Sequence, residues 1–274
     1  MNTDQIMKLS LELAGLEAVP EDSAIYHPGE RVGRVLAGID INVPELVVAK
    51  DLAFDLALAH HPVGGGAVLD FHRVFERHVL QMTAAGVPEG IAREAIEEMM
   101  TERRILGSMK NYDHVPSVAR LIGMPLMNIH TPLDEIGRRR MAEAASSLPA
   151  DATVSDLETH FYETFGEFRN AATRIEARVG REENRIGRVA VSHAAGTNGG
   201  YSVAKAYFDH GVDTLIYIHC RPQDSKRLRE TYGESKNLIV TGHIASDSLG
   251  VNPFLDALRE RGLEIETISG IISP

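Results

Sequence analysis

The feature that most constrains this chain is an alternation of short apolar runs with amphipathic helical stretches. Runs at 32–41, 56–59, 125–129, 188–192, 213–218, 237–240 and 263–268 read as buried strands. Most are bounded by Gly, Pro or charged residues, as strands are. Helical patterns lie between them: 3–16, with Ile6, Leu9, Leu13 and Leu16 on one face and Thr3 as N-cap, then 45–53 behind Pro44, 71–105, 115–122, 201–210 and 248–261. Strands alternating with helices imply layered α/β architecture. A repeat is visible inside it. Residues 34–62 and 188–222 both run strand, turn, helix containing Val-Ala-Lys (48–50 and 203–205), strand, then a His-bearing tip ending in Pro. The expected organisation is a first α/β lobe over 1–135 with a helical insert at about 71–122, a charged helical connector over 136–186, and a second α/β lobe over 187–274.

Composition narrows the function classes. At 43% hydrophobic and 24% charged residues the chain has the balance of a globular protein, not of a disordered one. Lys plus Arg total 28 against 39 Asp plus Glu, a formal charge of −11, which disfavours non-specific binding to a phosphate backbone. The lone Cys220 cannot form an internal disulfide, which fits a reducing cytosol. Asp55 interrupts the best apolar run, and the acidic N-terminus lacks a basic n-region. The expectation is a cytoplasmic protein with neither membrane span nor signal peptide.

Three strand ends finish in residues that ligate metals. They are His60-His61-Pro62, His130-Thr131-Pro132-Leu133-Asp134, and Thr241-Gly242-His243 with Asp247 four residues on. Ligands gather at the carboxyl ends of strands in open α/β sheets. Neutral imidazole and carboxylate suit zinc, iron, nickel and manganese. A carboxylate such as Asp134 can bridge two cations. Two divalent ions carry more positive charge than Asp134 and Asp247 remove, and the surplus would hold an anionic ligand. Simpler readings stand beside each tip: local hydrogen bonding for His60-His61, turn chemistry around Pro132 for Asp134, and capping of a helix from 248 for Asp247. The turn Gly196-Thr197-Asn198-Gly199-Gly200 sits where phosphates are cradled, yet it matches no phosphate-binding signature, so tight-turn geometry is the stronger reading. His219-Cys220 occupies the repeat position of His60-His61, and His72, His78 and His160 read as helix-surface residues.

Asp40 after a strand, the His-His-Pro tip, the His-Thr-x-x-Asp segment, the Gly-rich turn after Val191 and the Gly242-His243 pair together resemble the GTP cyclohydrolase I type 2 homologue family, also called the Ngg-interacting-factor-three-like family. The resemblance runs over about 30–274. It implies two similar α/β lobes related by internal duplication, a dinuclear metal site in the cleft between them, and a homo-oligomer in the form of a ring hexamer. It implies that His60 and His61 bind one ion each, that Asp134 bridges, and that His243 completes the set. Asp247 stands where the family usually has Glu. His219-Cys220 stands where it usually has Gly-Glu, and the 61–134 stretch is longer than usual. The resulting expectation is a protein holding two divalent ions (Zn, Fe, Mn or Ni). As an enzyme it would be a metal-dependent hydrolase of a small anionic substrate, whether nucleotide-like, phosphoester or cyclic amide. His130 and His219 would move protons or support the ligands. The alternative is a non-catalytic metal-binding assembly or regulatory protein, and a third reading is a nucleotide-binding regulator using the 196–200 turn.

Overall fold

Short apolar runs do form the strands, and the polar tips that follow them are where the chain turns into helices. The computed structural model describes residues 1–274. In chain order the elements are α1 Thr3–Ala14, β1 Ala24–His27, β2 Arg34–Gly38, α2 Val43–Asp51, β3 Leu56–Ala59, α3 Gly65–Leu69, a 3₁₀ turn Phe71–Phe75, α4 Glu76–Ala84, α5 Glu89–Ser108 and α6 His114–Ile122. They continue with β4 Leu126–Asn128, α7 Thr131–Ser146, α8 Val154–Thr164, α9 Gly166–Asn170, β5 Glu176–Val179, β6 Val189–Val191, α10 Gly200–Asp209, β7 Thr214–Tyr217, α11 Pro222–Tyr232, β8 Asn237–Val240, α12 His243–Arg259 and β9 Glu264–Ile268. No helix is long and apolar enough to cross a membrane. The fold is mixed α/β, divided into two compact units.

The first unit comprises Met1–Val74, Thr101–Ile136 and Gly250–Ile271. Its five-stranded sheet has the order β1-β4-β3-β2-β9. β4, β3, β2 and β9 are parallel, and β1 closes the far edge antiparallel to β4. Leu36, Leu46, Ala49, Ala57, Val115, Ala119 and Leu126 form one core cluster, joining these strands to α2 and α6. Local chemistry starts the helices: Asn2 and Gln5 make a reciprocal capping box on α1, and Asn42 and Glu45 do so on α2 with Pro44 in its first turn. The last strand, expected in the second lobe, instead pairs with β2, from Arg34 opposite Glu264 to Gly38 opposite Ile268. The free edge of β2 accepts a strand from the chain's end as readily as a neighbour in sequence, which no local pattern encodes.

The second unit comprises Phe75–Met100, Gly137–Leu249 and Ile272–Pro274. Its four-stranded sheet has the order β5-β8-β7-β6, with β6, β7 and β8 parallel and β5 antiparallel to β8. The strand order of the first unit recurs here without an equivalent of β9. The segment expected as a connector, 136–186, belongs to this unit from Gly137 onward. Leu157, Phe161, Phe165 and Phe168 enter its core beside Ile216, Ile239 and Leu249, and the Phe161 and Phe168 rings stack with centroids 5.9 Å apart. The charged residues of the segment mask an apolar stripe at helical spacing, and that stripe determines its packing.

Candidate metal centre

In the first unit the parallel ladder continues past the strand ends. His60 N donates to Gly38 O, His61 N to Ile39 O, and Ile129 N to Ala59 O. The His60-His61 tip is thereby pinned beside the tip that leads into His130. Each of the three imidazoles is then fixed through its Nδ1. His60 Nδ1 donates to the Ile129 carbonyl at 3.0 Å, His61 Nδ1 to Asp40 Oδ1 at 2.8 Å, and His130 Nδ1 to Asp22 Oδ2 at 2.7 Å. An imidazole that donates from Nδ1 presents its Nε2 lone pair, the arrangement metal-ligating histidines adopt. The ring centroids lie 5.1 Å (His60–His61), 4.8 Å (His60–His130) and 5.7 Å (His61–His130) apart, and the ligand atoms fall within 4.8 Å of one another.

Asp134 lies in the first turn of α7, whose N-terminus is set by Pro132, and the turn reading of Pro132 gives way to a helix start. Its buried carboxylate stands 3.2 Å from His60 Nε2 and 3.8 Å from His130 Nδ1. Three imidazoles and a buried carboxylate in one unit are a donor set suited to a divalent first-row ion.

In the second unit the same ladder extension occurs: Thr241 N donates to Tyr217 O and Gly242 N to Ile218 O. Gly242 adopts φ +98°, and a Cβ there would stand 2.7 Å from Thr173 Oγ1, so the sharp entry into α12 needs glycine. α12 begins at His243, not at 248. Asp247 is therefore inside the helix, one turn on from His243, and its buried carboxylate lies 3.3 Å from His243 Nε2. The capping role weighed for Asp247 does not apply.

His219 follows β7 with its ring centroid 4.9 Å from that of His243, and Asn198 Nδ2 lies 3.1 Å from its Nε2. Burial first, then the neighbouring His243, lower the His219 pKa to about 4 against an opposing pull from Asp247, so the ring is neutral near pH 7. The turn at 196–200 is a backbone device. Gly199 has φ +82°, and a Cβ on it would meet the Val203 side chain at 2.4 Å. Asn198 fastens the turn by accepting from Ile218 N at 2.7 Å.

Three residues escape the sequence reading as site components. Asp22 and His193 carry no local motif, and Asp40 stands out in the sequence only as a strand end. His193 is buried and stands near enough to His219 to help lower that ring's pKa. His78, expected on a helix surface, is instead fully buried, beside Ser192 Oγ at 3.4 Å. Its position is legible in the sequence: Phe75, His78, Val79 and Met82 fall on one helical stripe, and all four are buried.

Comparison with known proteins matches this architecture. The crystal structure of a NIF3 superfamily protein from Sphaerobacter thermophilus superposes with a TM-score of 0.94 at 47% identity, covering 98% of each chain. The chain belongs to the NIF3 superfamily. Other solved structures share the fold at greater distance. Reduced HcgD from Methanocaldococcus jannaschii aligns at TM-score 0.56 and 15% identity, covering 97% of each chain. TTHA1606 from Thermus thermophilus aligns at 0.53 and 14%, covering 100% of this chain and 99% of that one. Both share the fold with this NIF3 superfamily member. No family model matches the sequence. A curated ornithine carbamoyltransferase from Clavibacter michiganensis subsp. michiganensis (strain NCPPB 382) is 31% identical over 98 residues, 31% of this chain and 30% of that enzyme. The match spans under a third of its length.

Proposed function

We propose that this NIF3 superfamily protein binds two divalent metal ions and hydrolyses a small anionic substrate of nucleotide-like, phosphoester or cyclic amide type. The observation that carries the reading is the clustering of His60, His61 and His130, each fixed at Nδ1 by an oxygen acceptor. In the proposal His60, His61, Asp134, His243 and Asp247 are the ligands. A bound divalent ion supplies Lewis-acid chemistry and a water whose pKa falls toward neutrality. His61, whose side chain is 22% exposed, leaves solvent a way to the donor set. His219, neutral near pH 7 and backed by Asn198, can accept a proton during turnover.

The test has two stages. Protein stripped of metal and reloaded is first analysed for metal content. It is then screened against phosphoesters, nucleotides and cyclic amides with the metal it retains. Metal uptake with turnover of one class supports the reading. Uptake without turnover, and with no exchangeable water at the ion, transfers support to a structural metal. Absence of uptake overturns the metal assignment itself.

A further inference from the structure

From Thr101 onward α5 belongs to the first unit, and one face of it is built around a close approach. Gly107 is buried, and a Cβ on it would stand 3.1 Å from the Val68 carbonyl of α3. Arg103 precedes Gly107 by four residues and Lys110 follows it by three, the spacing that sets side chains on one helical face. That face persists past Ser108, because Met109 N donates to Leu106 O and Lys110 N to Gly107 O. The seat on α3 brings Arg103 over Phe71, with its Cζ 4.4 Å from the ring centroid. Phe71 is itself buried, and its centroid lies 5.7 Å from that of His130 in the candidate metal centre. One aromatic ring is thus the common neighbour of a guanidinium and of the imidazole cluster.

Arg103 is out of pattern for this chain. Asp and Glu outnumber Lys and Arg by 39 to 28, and other arginines find them: Arg93 pairs with Glu76 and Glu89, and Arg120 with Asp113. Arg103 is half-buried, yet its N–H donors meet no acceptor and no carboxylate pairs with it. Burial pulls its pKa down, and the charge of Glu102 offsets that only in part. Desolvation, and then the positive charge of Arg103, lower the pKa of Lys110 as well, so the two cations stand near enough to repel. An anion between them would relieve both costs.

We propose that Arg103 and Lys110 form an oxyanion-binding site beside the candidate metal centre, and that it takes a phosphate or carboxylate group of the substrate. The proposal rests on the hydrolase reading above and narrows it. The planar fork of a guanidinium matches the two oxygens of a phosphate or carboxylate, and Lys110 adds a point charge. The substrate then carries an anionic group set apart from its reacting bond by about the width of the Phe71 ring. A phosphorylated compound or an acid-bearing cyclic amide meets that requirement. A cyclic amide without an acidic substituent would leave both cations unanswered.

The experiment uses the full chain freed of metal, so that no ion competes for the anion, at pH 8, above the ordinary imidazole range. Inorganic phosphate and acetate are titrated calorimetrically into the wild type, Arg103→Gln, Arg103→Lys, Lys110→Gln and Arg104→Gln. Arg104 is the exposed neighbour on the same helix, and its variant removes the same charge. Arg103→Gln should weaken anion binding by about tenfold or more, as loss of charge-assisted hydrogen bonds does. Arg103→Lys, which keeps the charge and loses the fork, should recover only part of it. Lys110→Gln should lose less, and Arg104→Gln should match the wild type. Tighter binding of phosphate assigns the site to a phosphoryl group, and tighter binding of acetate assigns it to a carboxylate. Equal affinities in Arg103→Gln and Arg104→Gln overturn the proposal, as does a wild type that binds neither anion. Zinc uptake by the wild type is measured separately. Phosphate bound through Arg103 without zinc uptake supports the anion site and overturns the metal reading instead.

Discussion

His78 gives a sharp test of the second unit because its chemistry and its packing oppose each other. The imidazole is fully buried, and that burial lowers its pKa from 6.5 to about 4, against a smaller opposing contribution from the Thr197 backbone. The unfolded chain therefore binds a proton near pH 6.5 that the folded chain refuses until about pH 4. The stabilisation is fully present above the unfolded pKa and is lost as pH falls toward the folded one. Between about pH 7.5 and pH 5 the two pKa values give a loss of about 2 kcal/mol from this residue alone. Urea unfolding of metal-free wild type and His78→Gln at both pH values measures it, with metal removed so that metal release adds no slope. The variant should lose about 2 kcal/mol less than the wild type over that interval. His219 contributes a slope of its own, but it is present in both proteins and cancels. Equal pH dependence in the two proteins would refute the reasoning, because it would mean that His78 takes up its proton without unfolding.

Three further outcomes follow from the donor sets. Asp134→Asn should lower the metal content of folded protein more than His72→Gln, and equal stoichiometry in both would remove Asp134 from the ligands. Asp247→Ala should lose metal, and Asp247→Glu, longer by one methylene, should retain it; full metal occupancy with only a lower melting temperature would leave Asp247 a structural residue. Chelation should lower the melting temperature of the wild type, since a ligand held only by the native state at about 100 times its Kd stabilises by about 2.7 kcal/mol; an unchanged melting curve after verified removal would mean the metal is not bound tightly.

The parts of the fold legible in the sequence are those with a purely local cause. β3 and β8 are legible to the residue because each is a continuous buried run of four, Leu56–Ala59 and Asn237–Val240, bounded by polar residues. β1 and β5 are not. They are antiparallel edge strands, Ala24–His27 and Glu176–Val179, mostly half-buried or exposed, so neither carries a continuous buried run of four. β9 is legible as a strand but not as a member of the first sheet, because strand pairing across more than 200 residues leaves no trace in either segment. His78 shows the opposite case. The stripe Phe75, His78, Val79, Met82 is present, and polar neighbours such as Glu76 and Arg77 obscure it.

The site divides in the same way. His60, His61, His130, Asp134 and His243 are legible because candidate ligands at strand tips sit next to the strands that carry them. The residues that aim those ligands are not, since an oxygen acceptor can arrive from anywhere in the chain. The three acceptors differ in kind, and the difference has a physical consequence. His60 is held by a backbone carbonyl and is itself 2% exposed, so its orientation is part of the sheet. His130 is held by a carboxylate sealed from solvent, where a charge-assisted hydrogen bond is strongest. His61 is held by Asp40, whose side chain is 58% exposed, and solvent and salt screen such a pair. The three rings are thus fixed with unequal stiffness, and the loosest, His61, is also the one that faces solvent. A donor set that is rigid at its buried members and yielding at its exposed one can hold an ion in place while a ligand from solvent approaches at the His61 side.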